Sequence, residues 1–185
     1  MRTVLAATAL GLTLIAAAGL AACSPEDPVV PPPDPIPSRT PVFASDEEAL
    51  AAAEELYGQY LAAENQLGAG GWNDISLIKP YVRGAALADE IQTAQDLSAK
   101  GYHQVGDISY DTATLQQAEI AESGQVVLTV YLCLDVSGAG IVDATNQTID
   151  VGERPGRLAL EIEFDDVDGD LKVDRSEPWT GSDFC

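Results

Sequence analysis

The chain has 185 residues, enough for one domain plus extensions. It carries 30 acidic and 9 basic residues, for a formal charge of −21. That balance excludes a nucleic-acid partner, because phosphate binding needs a basic footprint, and it excludes docking on anionic lipid headgroups by charge; its ordinary meaning is a solvated, self-repelling surface.

The first 22 residues read as an export leader. Arg2 supplies a minimal basic start, and Val4 to Leu20 is an uncharged, alanine-rich apolar run. A retained transmembrane helix is the competing reading, since the run approaches spanning length. Its richness in Ala and Gly counts against that, as does the stretch that ends it, Leu20-Ala21-Ala22-Cys23. Small residues at a cut site followed by a cysteine make this stretch resemble the lipobox of bacterial lipoproteins. The resemblance implies cleavage before Cys23, a diacylglyceryl thioether on Cys23 and often an acylated new N-terminus. Two or three acyl chains anchor stably where one is marginal. Cleavage removes Arg2 and no acidic residue, so the formal charge moves from −21 to −22. The expected partner of Cys23 is therefore a membrane, and the expected location is its extracytoplasmic face.

Residues 23–44 are expected to comprise the lipidated cysteine and a disordered tether. Eight of the chain's 11 prolines fall there, including Pro31-Pro32-Pro33. Proline cannot donate to a hydrogen-bond ladder and favours extended polyproline II. At about 3.1 Å per residue, the tether spans up to roughly 60 Å. A ligand for a proline-recognising module is the alternative to a spacer.

The folded domain is expected over residues 45–185. Ser45-Asp46-Glu47-Glu48 reads as a capping box, with Ser45 at the N-cap and Glu48 three residues on. Leu50, Ala53, Tyr57, Tyr60 and Leu61 then recur at helical spacing, predicting an amphipathic helix to about Gln66. Asp74 to Lys79 predicts a short helix stopped ahead of Pro80. A second long helix is predicted from about Gly84, with Leu87, Ile91, Ala94 and Leu97 on one face and Gly101 as its C-cap. From Tyr102 the period changes to two. His103 to Tyr110 and Thr114 to Ala121 are strand candidates. Gln125 to Asp135 is the strongest, apolar on both faces and so expected to be central. Arg157 to Asp165 alternates, with Leu158, Leu160, Ile162 and Phe164 inward. Asp168-Gly169 marks a hairpin turn, and Leu171 to Asp174 returns.

The three cysteines split as one plus two. In an exported chain Cys133 and Cys185 are expected to pair, closing a loop of about 50 residues and contributing roughly 4 kcal/mol in the chain-entropy model. Two free thiols are the alternative.

Helices followed by a run of antiparallel strands give an α+β fold, with N-terminal helices packed on a curved antiparallel sheet. This order, closed by the Leu158–Trp179 hairpin with its Asp-Gly turn and late Trp, resembles the nuclear transport factor 2-like fold, also called cystatin-like or SnoaL-like. It is similar to small actinobacterial lipoproteins of that fold with a late disulfide. The resemblance implies a cone with an apolar pocket, and frequent dimerisation through the sheet, for which the exposed face of Gln125–Asp135 would serve. Some relatives of the fold are isomerases, dehydratases or cyclases. Here the single histidine, His103, is the candidate general base, with Tyr57 or Tyr60 as donor. An edge histidine and packed tyrosines are the bland readings. Asp165-Asp166-Val167-Asp168-Gly169-Asp170 raises a calcium loop. Starting at Asp166 puts Asp168 and Asp170 in register and Glu177 at the closing position, but Leu171 stands where glycine is needed. Starting so that Gly169 fits puts Phe164 first and Arg175 last. An Asp-Gly turn is the plainer account. Trp72 and Trp179 are expected as core or rim anchors.

No catalytic residue, cofactor or metal is assigned from the sequence. The leading expectation is a membrane-anchored, non-catalytic module that binds an envelope protein or a small apolar ligand. The alternative is an isomerase or lyase using His103 in a cone pocket.

Overall fold

A computed structural model describes residues 43–121, 124–167, 169–182 and 184–185. The leader, Cys23, nearly all of the tether and Asp168 lie outside the described residues.

Helix α1 (Asp46–Ala69) starts where its cap predicts. The Ser45 hydroxyl accepts the Glu48 N–H at 3.3 Å, and Glu48 reaches back to the N–H of Ala44 at 2.7 Å. These two bonds satisfy donors that a helix start leaves open. The helix runs three residues past Gln66 and is capped at Gly70. The short helix is a single 3-10 turn, Ile75–Leu77, opened by Asp74, whose carboxylate accepts the Ser76 N–H at 3.2 Å. Helix α2 (Gly84–Ala99) ends one residue earlier than expected. Lys100 is the cap, and Gly101 follows it at φ +69°. The Tyr102 N–H returns to Leu97 O at 3.2 Å and the Gly101 N–H to Ser98 O at 2.9 Å, which is the Schellman closure that wants a left-handed residue there.

The strands are β1 (His103–Val105), β2 (Ser109–Ile120), β3 (Val126–Asp135), β4 (Gly140–Val142), β5 (Arg157–Val167) and β6 (Asp170–Pro178). Four of them form an antiparallel sheet in the order β2-β3-β5-β6, while β1 and β4 pair separately. The sheets are not closed into a barrel. The expected single strand His103–Tyr110 is broken at Gly106, which takes φ +71° and lies so close to Gly138 that a Cβ would come within 2.0 Å of its carbonyl oxygen. The backbone crosses there, so β1 peels off to pair with β4.

Strand β3 is central, between β2 and β5, as its two apolar faces predicted. Val126, Leu128, Val130 and Leu132 face the helices and are buried, and so are Leu160, Ile162 and Phe164 of β5. Helix α1 packs over β2 and β3, and α2 over β6. The space between is filled by Tyr57, Leu67, Leu128, Ile162 and Phe164, none more than 2% exposed. On the outer face, Cys133 is fully buried beneath a disulfide to Cys185, Cα to Cα 5.6 Å. Among the described residues no helix is long and apolar enough to cross a membrane.

Candidate functional site

Helix α1 turns one stripe toward the sheet: Ala53, Tyr57, Tyr60, Leu61 and Leu67. Continuing that stripe one turn past Tyr60 places Glu64 on it. Across from it on α2, Glu90 lies four residues from both Ala86 and Ala94, the buried positions of that helix. The two helices thus bring two carboxyl groups near each other at the edge of the core. The Tyr60 hydroxyl joins them, donating to Glu90 Oε1 at 2.6 Å and also bonding Glu64. Tyr57 backs the cluster, with ring centroids 5.6 Å from Tyr60, 5.0 Å from Tyr110 and 6.3 Å from Phe164.

Burial pushes the Glu64 carboxyl up to about 8; the charge of Glu90 adds to this and the Tyr60 hydroxyl opposes it. Burial also raises Glu90, with Tyr60 opposing and Asp89 adding. Tyr57 and Tyr60 are raised well above the usual phenol range, first by burial and then by Glu64 and Glu90. The residue Glu64 is only half-buried, since one side of it opens on a groove, but protein crowds its carboxyl. At neutral pH Glu64 is therefore a protonated acid. The phenol therefore stands between two carboxyl groups that burial drives toward their neutral forms, and donates to one of them, Glu90. The groove that Glu64 lines measures about 280 Å³ and is otherwise mostly apolar: Trp72, Ile108, Leu134, Ile141 and Leu158. Arg154 stands at the same groove, donating to Ala139 O at 3.1 Å.

The residues singled out from the sequence are dispersed. His103 is half-buried on β1, paired with Val142, in a shallow surface groove beside Gly70, Gly71 and Asn73. That groove adjoins the C-terminal end of α1. Tyr57 and Tyr60 lie about two and a half to three and a third turns back, roughly 13–18 Å along the helix axis, so His103 and the tyrosines do not form one site. Trp72 is a core residue, 8% exposed, and Trp179 is half-buried on the outer face of the sheet.

The acidic run around the last hairpin is already engaged. Asp165 Oδ1 lies 2.7 Å from Arg83 Nε, with the N–H off the line of contact, so this is an ion pair rather than a hydrogen bond. Asp165 also accepts from Gln125 at 3.0 Å. Asp166, 9% exposed, accepts the Gly169 N–H at 2.7 Å and so caps the turn. Asp170 pairs with Lys172 at 3.0 Å. Among the described residues no three metal-binding side chains converge.

Sequence reasoning missed Glu64 and Glu90. The one signal was the register of Glu64 with the apolar stripe of α1, which marks a buried carboxyl only once the facing helix is known. On α2 the expected face packs as read, with Ala94 buried and Leu87 and Leu97 against the core, and Ala86 joins it on the side of Glu90.

No family model matches the chain, and no curated protein matches it. Among solved structures it is similar to the intermembrane-space region of the chloroplast protein ARC6, at 13% identity and a TM-score of 0.51, over 70% of this chain and 95% of that one. This likeness is one of fold alone. It is also similar to a periplasmic fragment of TraM, with 12% identity, a TM-score of 0.45, and coverage of 74% of this chain and 98% of that one. Aln2 from a Streptomyces species matches with 14% identity, a TM-score of 0.40, and coverage of 74% and 92%.

Proposed function

We propose that the chain is a lipoprotein, cleaved before Cys23, lipidated there and held on the extracytoplasmic face of a membrane. In this reading residues 45–185 are a nuclear transport factor 2-like domain that works by binding, as an envelope-assembly module or a receptor for a small apolar ligand. The observation that carries the binding reading is the filled interior. Tyr57, Leu128, Ile162 and Phe164 occupy the space between helices and sheet, so ligands meet this domain on its surface. The groove beside Glu64, apolar with one acid and one arginine, is the place it offers to a small apolar ligand. The Cys133–Cys185 disulfide supports the address, because such bonds persist in oxidising compartments. The fold shared with an intermembrane-space region agrees with it.

The test is expression of the full chain in a bacterial host, followed by detergent phase partition and mass analysis of the N-terminal peptide. The expected result is a detergent-phase protein that begins at a diacylglyceryl Cys23, and a Cys23→Ala chain that stays uncleaved and unlipidated. A wild-type chain without lipid on Cys23 overturns the anchor.

The second reading, an isomerase- or lyase-type enzyme, draws its support from Glu64 rather than His103. A buried carboxyl whose burial favours the neutral acid, beside a phenol bonded to a second carboxyl, is an arrangement suited to proton transfer. Deuterium exchange into small cyclic ketones tests it: an enzyme loses exchange in Glu64→Gln and keeps it in His103→Ala, and no exchange by the wild type leaves the binding module standing.

A further inference from the structure

A second groove, of about 290 Å³, lies on the outer face of the four-stranded sheet, away from the helices. Its wall is aromatic. Tyr131 of β3 has its ring centroid 4.3 Å from that of Trp179, and 5.9 Å from Phe184 in a nearly parallel stack. The last two residues belong to the C-terminal segment, which the Cys133–Cys185 disulfide ties down over β3. The indole is further oriented by its own N–H, which donates to Ser182 O at 3.1 Å. Strand β2 supplies the other side with Thr112, whose hydroxyl donates to Asp111 at 2.6 Å, and with Thr114 and Gln116, the Gln116 amide N–H reaching Thr114 O at 3.4 Å; the Tyr131 hydroxyl is bonded to Glu161 of β5.

One of these residues is held at a cost. Thr112 takes φ +55°, in the register shift between Asp111 and Thr114. A β-branched residue in that left-handed region is strained by about 1–3 kcal/mol, and such strain gathers at ligand sites.

Flat aromatic faces beside neutral hydroxyls and an amide select the chemistry. A purely aliphatic ligand would leave the Thr114 hydroxyl and the Gln116 amide oxygen without hydrogen bonds on desolvation. A nucleotide would stack, but it would bring phosphates to a chain of charge −21. A pyranose ring fits both halves. Its axial C–H face packs on an aromatic ring, while its rim of hydroxyls needs hydrogen bonds at the same depth.

We infer that this groove is a binding site for a neutral saccharide, stacked on the wall of Tyr131, Trp179 and Phe184 and hydrogen-bonded by Thr114 and Gln116. The site is separate from the groove beside Glu64 and does not require lipid on Cys23.

The chain contains two tryptophans, one in the core and one in this groove, so the site reports on itself. The full chain is titrated with maltotetraose, cellotetraose and the β-1,4 tetramer of N-acetylglucosamine, with tetragalacturonate as the anionic comparison. Trp fluorescence and calorimetry are the readouts. At least one neutral tetrasaccharide is expected to give a saturable signal, kept in Trp72→Phe and in the unlipidated Cys23→Ala chain, so a failed anchor and a failed groove are told apart. Trp179→Ala is expected to abolish binding. Gln116→Leu, with an unchanged melting temperature, is expected to weaken it about tenfold or more. The inference is overturned if no neutral saccharide gives a heat or fluorescence change up to ~10 mM. It is equally overturned if Gln116→Leu binds as the wild type does, if tetragalacturonate binds as tightly as the neutral probes, or if light scattering shows this face covered by a second copy.

Discussion

Glu64 is the residue where stability and chemistry meet. Its folded value of about 8 stands above the ordinary 4.5, so between those limits the folded chain holds a proton that the unfolded chain has lost. Stability from this group is whole below about pH 4.5, falls as pH rises toward 8 and levels off beyond. Glu64→Gln keeps a hydrogen-bonding amide and cannot ionise. We expect it to be more stable than the wild type at pH 9 by on the order of 1–3 kcal/mol, discounted for the open side of the groove, and indistinguishable at pH 4. Thermal melts at the two pH values check this, with the exposed Glu55→Gln as control for the general acidity of the surface. Tyr60→Phe should move both carboxyls further up, because the Tyr60 hydroxyl opposes the rise at Glu64 and at Glu90. Carboxyl carbon shifts followed by NMR across pH 4 to 10 read that directly, and a fall in either value refutes the opposing role of the hydroxyl.

Elements differ in how plainly the sequence announces them. β3 and β5 were legible because a half-buried strand must alternate, and a central one must be apolar on both sides. The start of α1 was legible because a helix leaves N–H groups open and Ser45 is the residue that closes one. Ser45→Ala should therefore cost about 1 kcal/mol in chemical denaturation. The pair β1 and β4 was not legible. Three-residue strands carry no period, and this pair exists because the chain crosses itself at Gly106 and Gly138. Gly106→Ala tests that origin: a positive φ and a 2.0 Å approach to a carbonyl predict a loss of roughly 2–4 kcal/mol, out of proportion to a small surface change. The candidate site was half legible. Tyr57 and Tyr60 follow from the stripe on α1. Glu64 and Glu90 acquire meaning only when α1 and α2 face each other, because a carboxyl at one position of one helix looks like solvent-facing charge until its neighbour is known.

At the scale of the whole molecule, the fold is stapled from its last residue to its central strand. Cys133 sits in β3, fully buried, and Cys185 ends the chain, 52 residues away. The bond does two things. It removes loop entropy from the unfolded chain, worth about 4 kcal/mol in the chain-entropy model, and it holds Phe184 and Trp179 against Tyr131 on a face that the helices do not cover. The double change Cys133→Ala/Cys185→Ala should then lower the melting temperature by about 5–15 °C and loosen the aromatic wall, read as a red shift of Trp179 fluorescence in a Trp72→Phe background. If Cys23 carries the lipid proposed for it, detergent partition should not change, because that anchor and the staple use different cysteines. A melting temperature untouched by the double change would mean that packing of the C-terminal segment alone closes the sheet. A red shift without loss of stability would mean that the staple serves the outer face more than the fold.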